Sequence, residues 1–222
     1  MHMLNEAVWW SPRVAWCALR YWTTGVPVHR TDERGVDVVF PELPEPCGDD
    51  VQTPEMGVGP AFHRRYRACI TAGELSPDEM MHRLVREPNC VVPREAAVFD
   101  RRVQDAALRP AEDLVVRMPG PWDGPVRVLH IDRCSFRLVT LAGHLEAGQI
   151  EFRARPRGED VVFEIESWAR SGDWLADLLY DKLVLLQEMQ TYLWSHYCAG
   201  VCTLSRGRMR AGVDVYTARA KA

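Results

Sequence analysis

From Pro93 onward, apolar and polar residues alternate in short runs separated by turn sequences, the pattern of antiparallel strands with one buried and one wet face. It predicts strands at Ala97–Val103, Asp113–Met118, Val126–Ile131, Phe136–Leu141, Gln149–Arg155 and Val161–Trp168. In the fifth, Phe152 and Ala154 alternate with Arg153 and Arg155; in the sixth, Val161, Phe163 and Ile165 alternate with Glu164 and Glu166. Turns fall at Pro119–Pro125 and Pro156–Asp160. After Ser171-Gly172-Asp173 the period changes to that of a helix running to about Cys198, with Gly200 as its stop. Roughly 26 residues give about 39 Å of helix. Leu175, Leu179, Leu183, Leu186 and Leu193 form one stripe on it, and Trp174, Leu178, Leu185, Met189 and Tyr192 an adjacent one.

The first half is less regular. Ser11-Pro12 reads as a cap and first turn of an apolar helix to about Thr23, in a region dense in tryptophan (Trp9, Trp10, Trp16, Trp22). Pro41–Pro60 is rich in proline, glycine and acid and reads as a linker or long surface loop. Phe62, Tyr66, Cys69 and Ile70 suggest a helix over Ala61–Ala72 that exposes Arg64, Arg65 and Arg67. Ser76-Pro77-Asp78-Glu79 is a capping box opening a helix to about Arg86. The tail offers an edge strand near Val213–Thr217 or stays loose. The expected class is α+β, a curved antiparallel sheet wrapped around a long C-terminal helix, with short N-terminal helices. Residues 1–56 form the tryptophan-rich helix and linker, and 57–222 the main domain. A twisted sheet around one helix closes its interior incompletely, so the expected ligand site lies between them.

Composition narrows the function classes. With 47% hydrophobic and 26% charged residues the chain is globular, and a net charge of −4 argues against phosphate neutralisation, hence no nucleic-acid partner. Seven scattered cysteines suit reduced thiols, and no run of about 18 apolar residues is free of charge; a cytoplasmic protein without a membrane span is expected.

Four pieces carry a family resemblance: Val58–Tyr66 (VGPAFHRRY), Pro119–Val128 (PGPWDGPVRV), Phe136–Phe152 (FRLVTLAGHLEAGQIEF) and Trp168–Arg170 (WAR). Together they resemble a domain-of-unknown-function family, DUF1990, from Gly57 to about Trp194. In the third piece Thr140, Leu141, Gly143, His144, Glu146, Gly148, Glu151 and Phe152 fit the family pattern, while Val139, Leu145 and Gln149 depart from it; Ala169 replaces a serine in the fourth. The resemblance further implies kinship with the helix-grip superfamily of plant allergens and lipid-transfer-like, START-like proteins. That superfamily contains both carriers of apolar molecules and cyclases.

His144 and Glu146, in the glycine-flanked turn GHLEAG, can act as an acid–base pair, or His144 can simply fix the turn by bonding backbone. His130 and Asp132 share one strand face, lining a pocket or facing solvent. Arg153, Arg155 and Arg157, with Arg133 and Arg137, form a basic stripe, read as a solvated face balanced by Glu164 and Glu166. His196, Cys198 and Cys202 lack a second ligand pair, so no metal is expected, and no phosphate loop or dinucleotide fingerprint implies a cofactor. The expected function is binding of a hydrophobic or aromatic small molecule by Phe136, Leu138, Thr140, Phe152, Phe163 and Ile165 of the sheet with Trp174, Leu178, Met189 and Tyr192 of the helix. A cofactor-free cyclase or isomerase with His144 as acid or base and Glu146 orienting it is the catalytic version. The rival is a ligand-free interaction module docking, even as a homodimer, through the tryptophan-rich helix.

Overall fold

Strand alternation decides the architecture of this chain. The computed structural model describes Leu19 and residues 25–44, 48–103, 106–118, 123–172 and 184–221, with the backbone alone at 184–187. In chain order the elements are β1 (Val28–Val36), a 3-10 turn (Pro54–Met56), β2 (Val58–Thr71), α1 (Pro77–Arg86), a second 3-10 turn (Pro88–Cys90), β3 (Val98–Arg101), β4 (Asp113–Arg117), β5 (Asp123–Ile131), β6 (Ser135–Thr140), β7 (Glu146–Arg157), β8 (Asp160–Ser171), α2 (Val184–Leu204) and β9 (Arg208–Ala220). The nine strands form one sheet in the order β1-β9-β2-β8-β7-β6-β5-β4-β3, antiparallel except for the parallel pair β1–β9. The class is α+β, with the curved sheet wrapped around α2 in the helix-grip manner.

All six strands expected beyond Pro93 are present, and α1 carries its capping box: Ser76 accepts from the Glu79 N–H while the Glu79 carboxylate accepts from the Ser76 N–H. Met80, Met81, Leu84 and Val85 of α1 join the main core. The tryptophan-rich helix, and the start of the long helix with Trp174 and Leu178, lie outside the described residues.

Three expectations are corrected. Residues 61–72 are not helical; 61–71 belong to β2, hydrogen-bonded to β8 on one side and β9 on the other. Phe62, Tyr66 and Ile70 are four apart, which fits a helical and a two-residue period alike, and pairing on both sides selects the strand. Gly200 does not stop α2, which continues to Leu204. A Cβ at Gly200 would stand 2.6 Å from the Val91 carbonyl oxygen, so the glycine admits a close approach instead. The tail is no edge strand; β9 is thirteen residues long and lies between β1 and β2. The edge is β1, whose interior is exposed on both faces, and its polar sequence carries no alternation to announce it.

Residues 37–44 and 48–52 cross the convex face. The Gln149 side-chain N–H donates to the Pro41 carbonyl at 2.6 Å, and Leu43 and Leu129 pack on a small buried cluster of Val51, Val139 and Leu141. The proline-rich segment is therefore partly buried, Val51, Gln52 and Pro54 included.

On the concave face Phe136 stacks on Phe152 at 4.6 Å between centroids, and Tyr197 of α2 meets Phe152 at 5.4 Å and Phe163 at 6.0 Å. Phe152→Ala is expected to cost about 3–5 kcal/mol in urea unfolding. Val39→Ala, at a position 80% exposed, should change stability by less than about 0.5 kcal/mol. A loss below about 1 kcal/mol for Phe152→Ala contradicts this packing.

Candidate functional site

Strand register arranges the concave face in rows. One row runs Tyr66, Ile165, Phe152, Phe136, all fully buried and large. The next, two residues along each strand, runs Arg64, Ser167, Ile150, Leu138, and the third runs Phe62, Ala169, Gly148. Along β8 the face steps from Ile165 down to Ser167 and Ala169, and along β7 from Phe152 through Ile150 to Gly148. Gly148 cannot be larger, since a Cβ there would fall 2.0 Å from the Trp168 carbonyl oxygen. One part of the face is filled by aromatic rings, with Trp194 closing on Phe152 at 5.6 Å, and beside it Ser167, Ala169 and Gly148 form a patch of small side chains.

Polar groups gather around that patch. Arg64, 5% exposed, donates from Nη1 to Glu146 Oε1 at 3.3 Å, and its guanidinium lies 4.5 Å over the Phe62 ring. The Tyr66 hydroxyl bonds the Thr191 side chain of α2, and burial pushes its pKa up to about 12, so it stays a protonated donor. Arg30 of β1 grips Glu188 of α2 through two bonds of 2.6 Å. The sequence pattern does not single out Arg64 and Tyr66, because a helical phase groups Arg64, Arg65 and Arg67 on one exposed side. The strand phase sends Arg64 inward.

His144 and Glu146 are brought together through backbone. His144 Nδ1 stands 2.9 Å from the Glu146 backbone nitrogen and 3.0 Å from the Glu146 carbonyl oxygen, so the Glu146 backbone holds the ring by an N–H donated to Nδ1 or an Nδ1–H donated to the carbonyl, according to the tautomer. The Nε2 edge lies against Gly124, where a Cβ would come within 3.0 Å of it. Burial lowers the His144 pKa below the ordinary value and keeps the ring neutral. The Glu146 carboxylate turns the other way, to Arg64.

Phe136, Leu138, Phe152, Phe163, Ile165 and Tyr192 meet in one buried cluster, with Met189 half-buried on α2. The Tyr192 hydroxyl donates to the Glu95 carboxylate at 2.8 Å. Thr140 accepts from the Gly148 N–H at 2.9 Å and is held by strand backbone. His130 and Asp132 are largely solvent-facing, with side chains 37% and 73% exposed. A concavity of ≈270 Å³ opens between Gly25, Val26 and Val28 and the α2 residues Ser195 and His196. Another, ≈460 Å³, lies in the loop between β3 and β4, where buried Arg101 is paired with Glu112. Among the described residues no helix is long and apolar enough to cross a membrane.

The family model described as a domain of unknown function, DUF1990, matches residues 50–198, two thirds of the chain. The chain belongs to the DUF1990 family. No curated protein matches it. Among solved structures it is similar to hypothetical protein jhp0584 of Helicobacter pylori (7% identity, TM-score 0.48, 77% of this chain and 100% of that one). It is also similar to norcoclaurine synthase of Thalictrum flavum (10%, 0.44, 75% and 98%) and to major latex-like protein 151 of Panax ginseng (12%, 0.36, 61% and 97%). All three scores lie below one half, so these likenesses carry no argument about function.

In this DUF1990 protein the four matching pieces converge. Arg64 of the first meets Glu146 of the third, Gly124 of the second seats His144 of the third, and Gly148 lies against Trp168 and Ala169 of the fourth. The half-buried neutral histidines give a pH signature. His144 and His63 both have folded pKa values lowered, chiefly by burial, from about 6.5. Between the lowered values and about 6.5 the unfolded chain binds more protons, so stability falls as pH drops through that window and is fully present above it. Thermal unfolding is expected to show Tm rising from pH 5.5 to 7.5, with a flatter profile in His144→Asn, whose side-chain amide can bond the same Glu146 backbone. A flat wild-type profile contradicts the assignment. His144→Ala orphans that backbone group and should cost about 1–3 kcal/mol.

Proposed function

We propose that this DUF1990 protein binds an apolar or aromatic small molecule between the concave face of the sheet and α2. The observation that carries the reading is a patch of small side chains on the concave face, Ser167 and Ala169 of β8 with Gly148 of β7, bordered by Ile150, Arg64 and Phe62. In this reading the aromatic side chains form one wall, and the guest lies over the patch of small side chains beside them. The lining is mostly apolar with a few convergent polar groups, the composition of small-molecule sites. Phe136, Leu138, Phe152, Phe163 and Ile165 wall the deep end in this reading.

The reaction class such a site suits is proton transfer within an apolar substrate, such as a cyclisation or isomerisation. For that chemistry the geometry favours Glu146, whose carboxylate turns to Arg64, over His144, whose Nδ1 is taken by backbone.

The test is a thermal-shift series with apolar and aromatic molecules on the full chain. A ligand at 100 times its Kd stabilises by about 2.7 kcal/mol, so Tm should climb by several degrees and continue upward with concentration. Ser167→Leu, which raises the floor, should abolish that shift while leaving the unliganded Tm within a few degrees. A shift that survives Ser167→Leu unchanged, or no shift with any molecule of the series, refutes the reading.

A further inference from the structure

A buried ion pair is poor evidence for stability, because desolvating two charges costs several kcal/mol per ion and a well-packed apolar pair does as well or better. Arg64 and Glu146 nevertheless stand on the concave face of a grip that is otherwise apolar over its aromatic half. Their side chains are 6% and 17% exposed. Beside them on the same face of β2 stands Tyr66, whose hydroxyl bonds the Thr191 side chain. The sheet positions that share this face add Arg30 and Asp32 on β1 and Arg219 on β9, the last with its guanidinium 5.5 Å from the centre of the Phe62 ring. A guanidinium differs from an ammonium in presenting a planar fork that matches a carboxylate through two parallel bonds.

We propose that Arg64 is the specificity-determining residue of this site and receives the carboxylate of an otherwise apolar acid. The acid's hydrocarbon or aromatic body lies over Ser167 and Ala169, and its carboxylate replaces part of the Arg64 contact with Glu146, with the Tyr66 hydroxyl as neighbouring donor. This inference rests on the binding site proposed above and adds the chemistry of its ligand.

The experiment compares matched acid and alcohol probes on the full chain by calorimetry: dodecanoate against dodecanol, and 2-naphthoate against 2-naphthalenemethanol. Wild type is expected to bind the acid of at least one pair tenfold or more tightly than its alcohol. Arg64→Gln should erase that preference while leaving the alcohol within about twofold, and Arg64→Lys should retain part of it. Because Arg64→Gln leaves the Glu146 carboxylate without this partner in a buried place, the double variant Arg64→Gln/Glu146→Gln, neutral at both positions, supplies the same comparison if the single variant does not fold. Equal binding of acid and alcohol by wild type overturns the role of Arg64 and leaves the apolar site standing. So does a preference that persists in the double variant. Failure of wild type to bind any of the four probes overturns the site itself and this inference with it.

Discussion

The pairing of β7 with β8 sets which side chains face the helix, and most of the structure follows from it. Twelve residue pairs run from Glu146 opposite Ser171 to Arg157 opposite Asp160, and the turn between them places Gly158 at φ +63°, a conformation that glycine adopts without strain. A slip of one residue would exchange Phe152, Phe163 and Ile165 for Arg153, Glu164 and Glu166 on the concave face. The convex face holds the same register by charge. Glu151 lies directly opposite Glu166, an unfavourable pair by itself, and Arg153 bonds both Glu164 and Glu166 while Arg137 bonds Glu151 at 2.8 Å. His63 adds a 2.7 Å bond to Glu166 and stacks on Trp168 at 5.4 Å. Arg133, Arg155 and Arg157 of the basic stripe are exposed and Glu164 and Glu166 balance it, as alternation suggests, but the three carboxylates are buried at 6–7% exposure and draw Arg137 and Arg153 in with them.

With the register fixed, the interior divides in two. The half nearest Tyr197 is closed by aromatic contacts. The part that includes Arg64 has a patch of small side chains with charges beside it. A protein built only for stability gains nothing from that second arrangement, since apolar residues of similar volume would pack without a desolvation cost. A protein that must admit and orient a guest needs both room and a small number of polar contacts. The separate roles of His144 and Glu146 follow the same division: one lies at the turn, bonded to backbone, and the other reaches the interior.

Much of the fold is legible in the sequence because it depends on local chemistry. Alternation in Gln149–Arg155 and Val161–Trp168 places the strands, and the capping box places α1 to the residue. The rest depends on tertiary neighbours. Phe62, Tyr66 and Ile70 satisfy two periods at once, and only hydrogen-bonded partners on both sides distinguish strand from helix. Nothing local marks β1, whose polar residues are recruited by β9. Of the candidate site, the sequence reveals the aromatic wall of Phe136, Phe152 and Phe163, because hydrophobic faces can be counted. It hides Arg64, because assigning one arginine of a basic run to the interior requires the strand phase first.

A crystal structure of the protein as purified, read with mass spectrometry of any molecule that accompanies it, tests the central claim most directly. The account predicts a non-protein molecule lying over Ser167 and Ala169, within hydrogen-bonding reach of Arg64, with an apolar body and an acidic end. The chain's own side chains packed tightly onto Ser167, Ala169 and Gly148, leaving no space above them, would contradict it.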